Sequence, residues 1–174
     1  HTIKDNPHND KLIYHEKNQT FQNYLYKTKS NKYIVFGHSS TLSADFKLLK
    51  ADNPTERLRN FSPRLKKHLY TIGHINNQFY IVTNWDATNF RLMQTPDSAT
   101  AKENWTEVIA HREDVLLSDI EVFKNHMVIS ERKDGLRQLR VIDQRSGNEH
   151  YIDFSEGAYP EKKETTYSVN NPKA

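Results

Sequence analysis

The sequence contains no cysteine. Disulfide staples, thiol catalysis and thiolate metal sites are excluded, and a reducing compartment such as the cytoplasm is the expected location. Glycine is scarce, 5 residues in 174, and dispersed, so no glycine-rich loop can cradle a phosphate. No apolar run approaches the roughly 20 residues of a membrane-spanning helix, so no membrane partner is expected. No basic run exceeds Lys66-Lys67, and the formal net charge is only +3. Without a concentrated basic stripe, nucleic acid is not an expected partner. No secretory signal pattern is visible. The opening His1-Thr2-Ile3-Lys4, without Met, is what a segment cut from a longer polypeptide would show.

What the chain does have is apolar residues in short clusters. Hydrophobic residues make up 35% and aromatic residues 11%, enough for a thin-layered core despite 27% charged residues. The clusters read as short strands. Phe79-Tyr80-Ile81-Val82-Thr83-Asn84 is apolar on both alternating sides, which suits a strand covered on each face. After the polar break at Trp85-Asp86-Ala87-Thr88, Phe90-Arg91-Leu92-Met93 reads as the returning strand. Asn76-Asn77 and Asp134-Gly135 are turn pairs. Ala99 to Asn104 is long enough for one helical turn.

The hairpin repeats. Phe46-Lys47-Leu48-Leu49, Phe90-Arg91-Leu92-Met93 and Leu139-Arg140-Val141-Ile142 each read apolar, basic, apolar, apolar, at spacings of 44 and 49 residues. A period in the forties with four strands per unit is the pattern of propeller blades. The expected fold is all-β, part of a β-propeller with three four-stranded antiparallel blades at 19–62, 67–110 and 115–154. The outer strand of a preceding blade is expected at Leu12–Glu16, and the start of a following one at 164–170. An antiparallel sandwich would instead show clean in/out alternation with one wet face. A segment with uncovered blade faces is expected to self-associate.

In such a meander the loops after the second and fourth strands share one end. They collect Ser39, Arg64, Trp85, Asn89, His111, Arg112, Glu113, Asp114, Arg132 and Asp134. No catalytic constellation stands among them. Gly37-His38-Ser39-Ser40-Thr41 lacks the second glycine and the following helix of a nucleophile elbow. Nine histidines show no HxxxH or HExxH spacing, so neither metal nor cofactor is expected. The sequons at Asn18, Asn60 and Asn104 lack any secretory context.

From Lys11 to Tyr159 the chain resembles the propeller of the oligopeptidase B family, in the prolyl oligopeptidase group of serine peptidases. The matching stretches include Leu12-Ile13-Tyr14-His15-Glu16; Pro63-Arg64 with His68 and Tyr70; Asn89-Phe90-Arg91-Leu92; Trp105-Thr106-Glu107-Val108-Ile109; Arg112-Glu113-Asp114-Val115; and Glu131-Arg132-Lys133-Asp134-Gly135-Leu136. Leu69 stands where the family has an acidic residue, and Pro160-Glu161-Lys162-Lys163-Glu164 departs from its pattern. The resemblance implies a seven-bladed propeller, only partly present here, covering an α/β-hydrolase catalytic domain of the same protein. That domain would carry the Ser-Asp-His triad and cut short basic peptides after Arg or Lys. No catalytic residue transfers to this chain. Arg64, Arg112, Glu131 and Arg132 are the expected interdomain or substrate-cavity contacts. The alternative is a free-standing propeller-type interaction module without peptidase activity.

Overall fold

The computed structural model describes residues 4 and 6–153. The expected blade start at 164–170, and Phe154, lie outside them. Among the described residues, twelve strands form three separate four-stranded antiparallel sheets, each a simple meander. The first is β1 (Gln22–Lys27), β2 (Tyr33–Ser39), β3 (Ala44–Lys50) and β4 (Arg59–Asn60). The second is β5 (Tyr70–Ile75), β6 (Gln78–Thr83), β7 (Arg91–Pro96) and β8 (Thr106–Ile109). The third is β9 (Val115–Val122), β10 (His126–Lys133), β11 (Leu136–Asp143) and β12 (Glu149–Tyr151).

Local chemistry sets the turns. Only Asn76 and Asn77 separate β5 from β6, and both have positive φ, 49° and 62°. This is a primed hairpin turn, whose twist matches the strands it joins. Asp134 and Gly135 do the same between β10 and β11, at 49° and 80°. Phe90 also sits at φ 62°, so the returning strand begins at Arg91 and not at Phe90. The helical turn expected over 99–104 is a short 3-10 turn at Lys102–Asn104.

The second sheet lies between the other two, which explains β6. Phe79 and Ile81 join Tyr33, Val35, Phe46 and Phe61 of the first sheet in one buried cluster. Val82 faces the other way and joins Leu117, Met127 and Ile129 of the third sheet in a second cluster. A strand wedged between two sheets must be apolar on both sides, because each face removes its own area from water.

The repeated basic residue of each third strand also has a structural reason. Its head reaches the short fourth strand beside it. Lys47 donates to Asn60 at 2.7 Å, Arg91 to Glu107 at 3.3 Å and Arg140 to Glu149 at 3.3 Å. The apolar neighbours of Lys47 and Arg91 point into the opposite interface, whereas Arg140 itself lies on the face it shares with Ile129 and Ile142, toward the second sheet.

The chain entering each sheet is tied to the sheet it has just left. The Ala44 amide, at the start of β3, donates to the His68 carbonyl at 2.9 Å. Asn89, just before β7, donates its side-chain amide to the Glu113 carbonyl at 2.7 Å and to Arg112 at 3.2 Å. The Asn89 carbonyl accepts from the Leu117 amide at 3.0 Å.

Leu12–Glu16, expected as an outer strand, joins no ladder among the described residues. It lies across the outward face of the first sheet. Tyr14 packs edge-on to His38 at 4.8 Å between ring centres, and Lys47 stands over its ring at 4.9 Å.

Candidate functional site

The meander puts Arg64, Arg112, Glu131 and Arg132 at one end of the sheets, in or beside the loops that follow second and fourth strands. They fall into two ion clusters and one isolated cation.

The first cluster centres on Arg64, in the connection between the first and second sheets. Its Nε donates to Asp45 Oδ1 and its Nη2 to Glu16 Oε2, both at 2.6 Å. The guanidinium lies 3.9 Å over the Phe21 ring. Burial opposes the charge on Arg64, but the hydrogen bonds to Glu16 and Asp45 outweigh it and raise its pKa. The Arg64 hydrogen bond holds Glu16 down at about 2, helped by the Asn18 amide and the Tyr14 hydroxyl. Tyr14 is pushed up to about 12 by burial and by donating to Glu16 at 2.8 Å. Arg64 thus fastens the incoming segment at Glu16 to the sheet at Asp45.

The second cluster centres on Glu131, fully buried at 0% exposure. Its Oε1 accepts from Arg112 and from Arg140, the latter at 2.7 Å, and its Oε2 accepts from Tyr151 at 2.8 Å. Burial opposes the charge on Arg112, while contacts with Tyr151 and Glu131 raise its pKa. A carboxylate this deep needs partners on both oxygens, and it has them. Glu131 therefore presents no surface of its own; it positions Arg112, whose side chain stays about one-third exposed at 35%.

Arg132 differs. Its side chain is exposed and faces away from the second sheet. Among the described residues it has no hydrogen-bond or ion-pair partner. Beside this end, Trp85 is half-buried under Lys102, 3.9 Å from the ring centre.

Sequence reading missed Glu16, Asp45 and Arg140 as members of these clusters. Asp45, set inside the apolar run of β3, was a legible hint, because an acidic residue buried in a strand requires a partner. Arg140 was seen only as part of the repeat.

The buried His68 and His74 serve packing. His68 is buried, its Nε2 2.9 Å from Thr83 Oγ1 and its ring stacked on Tyr70 at 4.8 Å. Burial, with Lys102 adding to it, lowers its pKa to about 4. His74 sits between Ser30 Oγ at 2.6 Å and Asp97 Oδ2 at 3.4 Å. Asp97 also accepts from Lys32 at 2.6 Å and Tyr33 at 3.1 Å, joining the second sheet to the first. Ser39 ends β2 inside an antiparallel ladder, opposite Ala44. Among the described residues no three His, Asp or Glu side chains are grouped to hold a metal. Nor is any helix among them long and apolar enough to cross a membrane.

This arrangement supplies fixed charge at one end of the sheets. The chain is similar in sequence to known peptidases. The chain is 31% identical to dipeptidyl aminopeptidase BI of Pseudoxanthomonas mexicana over 151 residues, covering 86% of this chain and 21% of that protein. It is 28% identical to protease 2 of Moraxella lacunata, covering 91% and 22%. It thus spans about a fifth of the length of these relatives. Among solved structures, oligopeptidase B from Leishmania major superposes with a TM-score of 0.80 at 25% identity, over 90% of this chain and 23% of that one. Oligopeptidase B from Trypanosoma brucei superposes at 0.82 and 23% identity, over the same shares. Residues 1–168 match the family described as prolyl oligopeptidase, N-terminal beta-propeller domain. The chain belongs to the prolyl oligopeptidase family, as part of its N-terminal β-propeller domain.

Proposed function

We propose that this chain is the non-catalytic propeller segment of a cytoplasmic, oligopeptidase B-like serine peptidase that cuts short peptides after Arg or Lys. Its role is steric and electrostatic. The stacked sheets form one wall over the active site and keep folded proteins out, while the charged loop end meets an α/β-hydrolase domain elsewhere in the same polypeptide. The observation that carries this reading is the family match over residues 1–168, together with superposition on oligopeptidase B at 25% identity. The contacts we assign to the catalytic domain or substrate cavity are Arg132 and the exposed edges of Arg64 and Arg112. Glu131 acts by holding Arg112 in place. Domain opening about this end would admit substrate.

The test is a pair of assays on a short reporter peptide ending in Arg or Lys. The full-length polypeptide cleaves it and the 174-residue chain does not. Cleavage by the chain alone, or no cleavage by the full-length protein, would overturn the proposal. In the full-length protein, Arg132→Gln lowers kcat/KM while leaving the thermal midpoint unchanged; an unchanged kcat/KM removes Arg132 from the contact set.

A further inference from the structure

The broad faces of stacked blades are taken by neighbouring blades, so a domain of another kind meets such a stack at its ends. The two ends differ here in chemistry. The loops after second strands and the connections between sheets share one end; the turns after first and third strands share the other. Among the described residues, three bulky apolar side chains stand exposed in or at the edge of the first set: Leu42 at 59%, Leu65 at 39% and Leu136 at 53%. The turns at the opposite end carry none. The remaining exposed bulky apolar residues are Leu12 and Ile13, two on β1, and those in or beside the border strands β8 and β12.

Each of the three leucines is held outward by its surroundings. Leu42 lies in the β2–β3 loop, closed beneath it by the Ser40 amide donating to the Ser43 carbonyl at 2.8 Å. Leu65 follows Arg64, whose guanidinium is fixed to Asp45 and Glu16. The two loops are tied together, since Ser43 Oγ accepts from the Lys67 amide at 3.0 Å and the Ala44 amide donates to the His68 carbonyl at 2.9 Å. Leu136 opens β11 directly after the Asp134-Gly135 turn, opposite Lys133. Strand alternation sets it on the side of Gln138 and Arg140, which faces the second sheet. Its exposure therefore does not come from the outer face of the third sheet.

A single exposed leucine is ordinary. Three on fixed loops at one end, with Arg64 and Lys133 beside them, have the make-up of an interface: apolar anchors within a charged rim. We infer that Leu42, Leu65 and Leu136 are the apolar anchors on which the α/β-hydrolase domain of the same polypeptide docks. The inference rests on the function proposed above and adds the apolar part of its contact surface. The chain spans about a fifth of the length of its peptidase relatives, which leaves a much larger body to cover this end. Parting of the domains returns the leucines to water, so the anchors favour the closed arrangement that limits substrate size.

The test uses the full-length protein. Photoreactive p-benzoylphenylalanine replaces Leu42, Leu65 or Leu136 in turn, and Lys124 at the opposite end as control. Cross-linked peptides are mapped by mass spectrometry, and a fluorophosphonate label locates the domain with the reactive serine. Links from Leu65 and Leu136 to that labelled domain, and none from Lys124, are expected. Links confined to residues 1–174, links between two copies, or no links overturn the inference while the label keeps the peptidase reading. Absence of any labelled domain overturns that reading, and the inference with it. A second readout is the ratio of kcat/KM on an unfolded protein to kcat/KM on the short reporter peptide. Leu65→Asn combined with Leu136→Asn raises it on the order of tenfold, with the thermal midpoint unchanged. An unchanged ratio overturns the docking role.

Discussion

Replacing Glu131 by Gln tests whether the buried triad holds the third sheet together. The carboxylate is inaccessible and accepts from Arg112, Arg140 and Tyr151. The amide of Gln keeps the volume but removes the negative charge and turns a donor toward two cations. Breaking a buried ion pair from one side costs about 3–5 kcal/mol. Arg112, 35% exposed, can rehydrate, whereas Arg140, 10% exposed, cannot. The lower end, about 3 kcal/mol, therefore applies, and for a chain of this size it corresponds to roughly 6–12 °C in the thermal midpoint. Thermal and urea unfolding, followed by tryptophan fluorescence at two protein concentrations, measures it. Removing both charges with Glu131→Leu and Arg140→Leu should recover most of the loss, because a well-packed apolar pair often matches a buried ionic one. A midpoint within about 2 °C of the parent for Glu131→Gln would refute the assignment of Glu131 as an essential counter-charge.

Three further outcomes are expected. Burial lowers the pKa of His68 to about 4, and of His38 and His74 in the same direction, so unfolding takes up protons. Stability is then full above about pH 6.5 and falls toward pH 4, on the order of 3 kcal/mol for His68; a titration of the midpoint, flattened in His68→Gln, checks this. Glu16 works lower: with a folded pKa of about 2 against 4.5, its contribution is present above pH 4.5 and lost toward pH 2, and Arg64→Gln removes that acid step. Gly37→Ala places a methyl 2.3 Å from the Tyr24 ring opposite it; because that ring is 42% exposed and can swing away, the loss is about 1 kcal/mol, read by urea unfolding.

The repeat was legible because it is local. Apolar residues around one base, at β3, β7 and β11, mark a strand whose base reaches across to its outer neighbour. Asn76-Asn77 and Asp134-Gly135 were legible because few residues accept positive φ. Leu12–Glu16 has side chains that suit a strand, and among the described residues it joins no ladder. The ion clusters were hidden for another reason. Glu16 meets Arg64 across 48 residues of sequence, and Lys32 meets Asp97 across 65. Such pairs follow from how sheets stack, which no local pattern records. Phe90 looked like strand and proved to be the pivot before it, since positive φ at an aromatic residue is set by the surrounding loop.

The outermost strands β4, β8 and β12 are 2, 4 and 3 residues long. So brief a border gives a foreign strand few amide and carbonyl groups to zip onto, and its charged side chains further discourage such growth. The opposite borders, β1, β5 and β9, run 6, 6 and 8 residues, so any rim-to-rim growth of this chain should begin there and not at β4, β8 or β12.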